Sequence, residues 1–290
     1  MYKLRDWIDI NKLDWDYLSE NPFAIDLLEQ NHNKINWEKI SRNHCAINLL
    51  EKNKDRIDWF ELSKNPDALL LLEKNFDKIC WMMLSGNSSA INLLEKNPDK
   101  IDWNYLARNS SSIHILEKNQ DKIDWSILSG NPSAINLLEK NQDKIDWFNL
   151  SSNSSAIHIL EQNQDKIYWS WLSENSSAIS LLEQNLDKIN WEYLSENPCA
   201  IHLLEQNLDK INWYWLSFNP CAMYLLEKNP DKIDWKSVSQ NQFIFELDYN
   251  ALKERCSIYK EELIQVALHP SRIQKYLDLG ISFEDLDNHI

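Results

Sequence analysis

Glycine is almost missing from this chain, with three in 290 residues, beside only eight prolines. There is accordingly no Gly-rich loop to cradle a phosphate, and neither a GxSxG nor an HExxH motif occurs. The five cysteines, at 45, 80, 199, 221 and 256, form no CxxC pair and leave an odd count. That argues against a disulfide framework and for a reduced, intracellular protein. No stretch approaches the ~18 apolar residues of a membrane span, and residues 1–10 hold no long apolar run, so neither a span nor a signal peptide is expected. Positive charge is also scarce: 30 Lys and Arg against 45 Asp and Glu leave a formal charge of −15. Such a surface repels phosphate backbones and anionic membranes, so the partner expected is a neutral or basic protein, with no nucleic acid and no membrane.

What the chain has in quantity is tryptophan, fourteen in all, and eleven of these keep one period. Trp15, Trp37, Trp59, Trp81, Trp103, Trp125, Trp147, Trp169, Trp191, Trp213 and Trp235 follow one another every 22 residues without insertion or deletion. Counting from each Trp, offset three is Leu (Ile40 and Val238 excepted), offset four is Ser (Ala107 excepted) and offset six is always Asn. The ten complete units add Ala at nine (Ser112 excepted), Leu at thirteen, Glu at fourteen, Asn at sixteen and Ile at twenty. Chance does not produce such a column pattern, and a fixed period of this length is the signature of a repeat architecture.

The caps divide the unit. Asp or Asn precedes the Trp in nine of eleven units, which places Trp at the first position of a short helix ending near the Ser. The invariant Asn then caps a second helix of about nine residues, and Pro follows it at 22, 66, 132, 198 and 220, where a helix tolerates Pro best. The Asn at offset sixteen (Asn31, Asn141, Asn229) stands where a left-handed residue closes a helix. An extended link completes the unit.

Helices this short are marginal alone, below the ~12–15 residues that isolated helices need, so stability must come from stacking. The fold expected is all-α: an α-solenoid of ten to eleven two-helix units, forming a rod or superhelix roughly 80–100 Å long if helices pack ~8–10 Å apart. Its domains are an N-terminal cap at 1–13, the array at 14–247 and a C-terminal helical cap at 248–290, with Gly280 as a helix stop and Ser282 with Asp285 as a capping box. A leucine-rich-repeat horseshoe also admits a period of 22, but the L-x-L-x-x-N strand signature is missing.

The repeat motif itself is distinctive. Asn-Pro-Ser-Ala-Ile-Asn-Leu-Leu-Glu-Lys-Asn-Gln-Asp-Lys-Ile-Asp-Trp, at 131–147, resembles the repeat unit of a large, mostly uncharacterised protein family of giant DNA viruses of the mimivirus kind. The resemblance extends to the Met-Tyr-Lys-Leu-Arg-Asp-Trp-Ile opening and the His-Pro-Ser-Arg-Ile-Gln-Lys-Tyr-Leu-Asp-Leu-Gly tail. It implies an interaction protein of an infected host cell or a virion, and it brings no catalytic residues.

Ser, His, Asp and Glu repeat uniformly instead of converging on one asymmetric site, so no enzyme, cofactor or metal is expected. The Glu column (Glu29, Glu51, Glu73 and onward to Glu227) lies at a helix C-terminus, where the dipole disfavours an anion. The Lys or Arg five residues on (Lys34, Arg56, Lys78) is its expected partner, with an acidic stripe for a basic ligand as the alternative. His114, His158 and His202 recur every 44 residues on a polar face and read as surface residues; Gly86 and Gly130 share that spacing, a hint of growth by duplicated pairs.

Function is sought where the frame permits variation. At offset two, aromatic residues gather: Tyr17, Tyr105, Trp171, Tyr193 and Trp215, the last three in consecutive units with Tyr214 and Phe218 beside them. Exposed, they make a stripe of the composition favoured at interface hot spots; packed against neighbouring units, they are core. The expected function is a non-catalytic scaffold binding a host or viral protein, with a self-associating structural or virion component as the alternative. Stacking makes one prediction: Trp125→Ala, mid-array, lowers stability by ~3–5 kcal/mol in chemical denaturation, as a large core truncation does.

Overall fold

The computed structural model describes residues 2–278, and the chain divides into two compact units. Residues 4–245 hold the repeats. The first repeat shows how local chemistry builds each of them. Asp14 Oδ1 accepts the N–H groups of Asp16 at 2.9 Å and Tyr17 at 3.2 Å, opening the helix Trp15–Glu20. Asn21, at φ −74° and ψ 119°, ends that helix, and its Oδ1 accepts the N–H of Phe23 to start the next segment. The expected nine-residue second helix is present but opens as a 3₁₀ turn, Pro22–Ala24, before the α-helix Ile25–Gln30.

Asn31 departs from expectation. Its φ of −125° and ψ of 49° are not left-handed. Its Nδ2 instead donates to the carbonyl of Leu27 at 2.9 Å, satisfying one of the carbonyls that a helix end leaves open. The same bond recurs from Asn53 to Leu49 through Asn229 to Leu225, so no positive φ is needed. The link that follows is not wholly extended either, since it carries a second 3₁₀ turn, His32–Lys34.

Leu18, Ala24 and Leu28 are fully buried, and their counterparts join one continuous core. Each register Trp packs one side against that core and keeps the other half exposed. Over it stands a cation from the end of the same unit: Lys34 Nζ lies 4.2 Å from the Trp15 ring centre, Lys144 4.3 Å from Trp125, and Arg56 5.4 Å from Trp37. The basic side chains expected to balance the Glu column are thus engaged with the tryptophans. Glu95, Glu139 and Glu183 instead meet His114, His158 and His202 of the following unit, at 3.0, 2.9 and 2.8 Å, all on the surface.

Units are joined by the invariant Asn. Asn43 Nδ2 donates to the carbonyls of Ser19 at 3.1 Å and Asn21 at 3.0 Å, both in the unit before; Asn131 does the same with Ala107 and Asn109. The Ser column adds a relay, as Ser19 Oγ donates to Trp15 O and accepts the N–H of Asn36.

These bonds also run from the last unit to the first. Asn21 Nδ2 donates to the carbonyls of Ser239 at 3.2 Å and Asn241 at 3.1 Å, and the Asp14 N–H donates to Ser239 Oγ at 2.8 Å. Helix Trp235–Gln240 packs on helix Trp15–Glu20 as any unit packs on the next. The open rod expected from the period is therefore overturned: the array is a closed ring of eleven units. The segment expected to cap an open face completes the eleventh unit, which lacks a second helix of its own. Lys12 stands 4.9 Å from the Trp235 ring, Ile8 and Leu13 are buried, and the Arg5 N–H donates to Ile244 O at 2.9 Å.

The other unit comprises residues 1–3 and 246–290, of which the structure describes the helices Tyr249–Ala267 and Pro270–Asp278 and an ion pair between Lys3 and Glu246 at 3.1 Å. Gly280, Ser282 and Asp285 lie outside the described residues. Among the described residues, no helix is long and apolar enough to cross a membrane.

Closure makes a prediction. Asn21→Ala and Asn131→Ala each remove two buried hydrogen bonds and a cap, and both should cost ~2–4 kcal/mol in chemical denaturation. In an open array Asn21 would sit in an end unit, and its loss would cost far less than that of Asn131.

A candidate binding arc facing the ring axis

First helices touch first helices along the array more extensively than second helices do, the latter meeting chiefly through their opening 3₁₀ turns. In a closed ring the more crowded layer is the inner one, so the first helices form the inner wall. Their buried Leu at offset three points outward into the core. At 100° per residue the opposite side of the helix carries offsets one, two and five, which therefore face the axis. With eleven steps of ~8–10 Å and helices ~10–12 Å thick, the wall encloses a space roughly 20 Å across.

The composition of this wall changes around the ring. In the first five units its cations are paired within the protein. Glu20 takes Lys39 at 3.2 Å, Arg42 at 3.1 Å and a hydrogen bond from Gln240 at 2.6 Å; Glu61 takes Lys64 at 2.7 Å. Tyr17 lies under Lys39, 4.0 Å from its Nζ, and Tyr105 lies beside Arg108 at 5.9 Å. The sixth and seventh units present Ile127, Gly130 and Asn149 there, which with Arg108 and Asn131 line a cleft of about 200 Å³.

From the seventh to the tenth unit the wall is aromatic. Phe148 meets Tyr168 at 5.3 Å and Trp171 at 5.0 Å between ring centres; Trp171 meets Tyr193 at 5.7 Å; Tyr193 stacks on Trp215 at 6.4 Å and 26°. Tyr214 and Phe218 pack on Trp215 at 5.1 and 6.1 Å. The structure thus brings together Trp171, Tyr193, Trp215, Tyr214 and Phe218, and separates Tyr17 and Tyr105 from them. Trp171, Tyr193 and Trp215 are half-buried, Tyr214 exposed, so the column is neither closed core nor a loose surface stripe.

Sequence reasoning missed the carboxylates beside it. Glu174 and Glu196, at offset five of the eighth and ninth units, are half-buried, and no cation of the described residues pairs with either. Burial pushes both carboxyls above the ordinary carboxylate range, and at Glu196 the neighbouring Glu174 charge adds to the shift. Glu196 also lines a cleft of about 330 Å³ with Trp215, Phe218, Gln240 and Asn241. A third carboxylate, Glu192, accepts the indole N–H of Trp215 at 3.2 Å. The usable signal was a local one: offset five holds Glu in two of the three consecutive units whose offset two is aromatic.

No family model, curated protein or solved structure matches the chain.

The raised carboxyls have a thermodynamic consequence. A carboxyl that holds its proton more firmly in the folded state adds stability below its unfolded pKa, and loses that contribution as pH rises through the folded value. At neutral pH the two charges are therefore a burden, though a small one because both groups are partly solvated. Glu174→Gln with Glu196→Gln should raise Tm at pH 7 by ~1–3 °C, with the gap closing as pH falls toward ~4. A lower Tm for the double variant at pH 7 would show that the carboxylates hold the fold together.

Proposed function

We propose that the protein is a non-catalytic binding scaffold, in which the ring frame presents the aromatic arc of the seventh to tenth units to a protein partner. One observation carries this reading. Six aromatic rings, Phe148, Trp171, Tyr193, Trp215, Tyr214 and Phe218, form an unbroken column on the axis-facing wall, at positions that the repeat leaves free to vary. Rings of this kind supply large contact area at low conformational cost, as interface hot spots do. The concave wall supports the same reading, since solenoid repeats use such surfaces for binding. The resemblance of residues 131–147 to the giant-virus repeat family makes host and viral proteins the partners to screen.

The triple variant Trp171→Ala, Tyr193→Ala, Trp215→Ala tests it. The variant should keep its helical circular dichroism and cooperative melting while losing at least ~tenfold in affinity for a captured partner, the loss that truncating hot-spot residues brings. Undiminished capture by a folded variant would remove the arc from the interface. Sedimentation of the wild-type protein tests the alternative, since a concentration-dependent oligomer that the triple variant fails to form would make a second copy the partner.

A further inference from the structure

The ring already contains one occupied version of the site that the arc repeats. In the first unit, the offset-two aromatic Tyr17 and the offset-five carboxylate Glu20 hold one ammonium between them. Lys39 Nζ lies 4.0 Å from the Tyr17 ring centre and 3.2 Å from Glu20 Oε1. That lysine is itself the offset-two residue of the next unit.

The eighth and ninth units carry the same pair at the same offsets, Trp171 with Glu174 and Tyr193 with Glu196. Here the place of Lys39 is taken by the next aromatic of the column, Tyr193 in one case and Trp215 in the other. Among the described residues no lysine or arginine stands over Trp171, Tyr193 or Trp215, and none pairs with Glu174 or Glu196. The protein thus keeps two half-buried carboxylates beside π-faces, the chemistry that attracts a cation from both sides. Elsewhere the fold satisfies that chemistry itself: each of the eleven register tryptophans lies under a Lys or Arg, from Lys34 over Trp15 to Lys12 over Trp235.

We propose that the arc binds lysine side chains of an extended segment of a partner protein, successive lysines pairing with Glu174 and Glu196 against the aromatic column. The spacing fits such a segment. Successive rings of the column lie 5.7 and 6.4 Å apart, and alternate side chains of an extended chain lie ~6.6 Å apart on one face. Glu192, on the same wall and already tied to Trp215, adds a third negative charge at the end of the run. The assignment rests on the binding reading above and names the chemistry of the partner at that site.

The experiment uses the full chain and a short peptide alternating alanine and lysine, with affinity followed by calorimetry and by tryptophan fluorescence. The peptide should bind the wild-type protein, weaken as salt is added, and bind Glu174→Gln, Glu196→Gln at least ~tenfold less tightly. The same peptide with norleucine for lysine should not bind, a control that needs no variant to fold. Failure of the lysine peptide to bind, equal affinity for the norleucine peptide, or equal affinity of the double variant overturns the proposal. Equal affinity for spermidine overturns the assignment to a polypeptide. A lysine peptide that fails while the arc's alanine variants still lose a captured protein defeats the lysine chemistry and leaves the scaffold reading standing.

Discussion

A single buried amide per unit governs the geometry of this ring. The Asn at offset six uses its side chain almost completely: the oxygen caps the segment that follows, and the nitrogen donates to two carbonyls of the unit before, or to one at Asn175. Burying such a group is costly unless it is fully bonded, so the amide fixes how one unit must sit on the next. An inserted residue would carry the Asn away from both carbonyls at once, which accounts for a period of 22 kept without a gap through eleven units. With stacking secured from within, the side of the first helix that faces the axis is released from structural duty.

Much of the unit was legible because its signals are local. Asp14 before Trp15, Asn21 before Pro22 and the apolar spacing of Ala24 and Leu28 each act within a few residues, and each does in the structure what its chemistry dictates. Closure was not legible in the same way. It depends on Asn21 meeting Ser239 and Asn241, across most of the chain, after small rotations have accumulated over every step. No motif records such a rotation. Asn31 misled for a different reason: Asn favours the left-handed region, but it also carries an amide that reaches back to Leu27, and the second property prevailed.

At the candidate site, Trp171, Tyr193 and Trp215 stood out because three aromatics in consecutive units break the variety otherwise found at offset two. Their carboxylate neighbours did not, because offset five wanders through Glu, Arg, Lys, Gly, Ser, Phe and Gln. Glu20 and Glu174 share an offset and a residue type yet differ in what surrounds them, since Lys39 and Arg42 neutralise one and the other is half-buried with no cation of the described residues beside it. Only the neighbouring unit's residues distinguish them. In a repeat protein the meaning of a residue is thus set by the column beside it as much as by its own.

Closure also bears on how such an array can have come to its present number of units. The spacing of Gly86 and Gly130, and of His114, His158 and His202, points to growth by copying pairs of units. An open solenoid can lengthen by any number of copies, but a ring cannot. Eleven identical steps divide the circle into turns of about 33° each, and a twelfth would require about 30° at every interface, with all the asparagine bonds adjusting together. Here the odd number is made up by a borrowed piece, the residues around Lys12 and Leu13 standing in for the missing half of the last unit. Residues 5–13 and 235–245, far apart in sequence, therefore build one structural unit between them, so that damage to either segment falls on the same place.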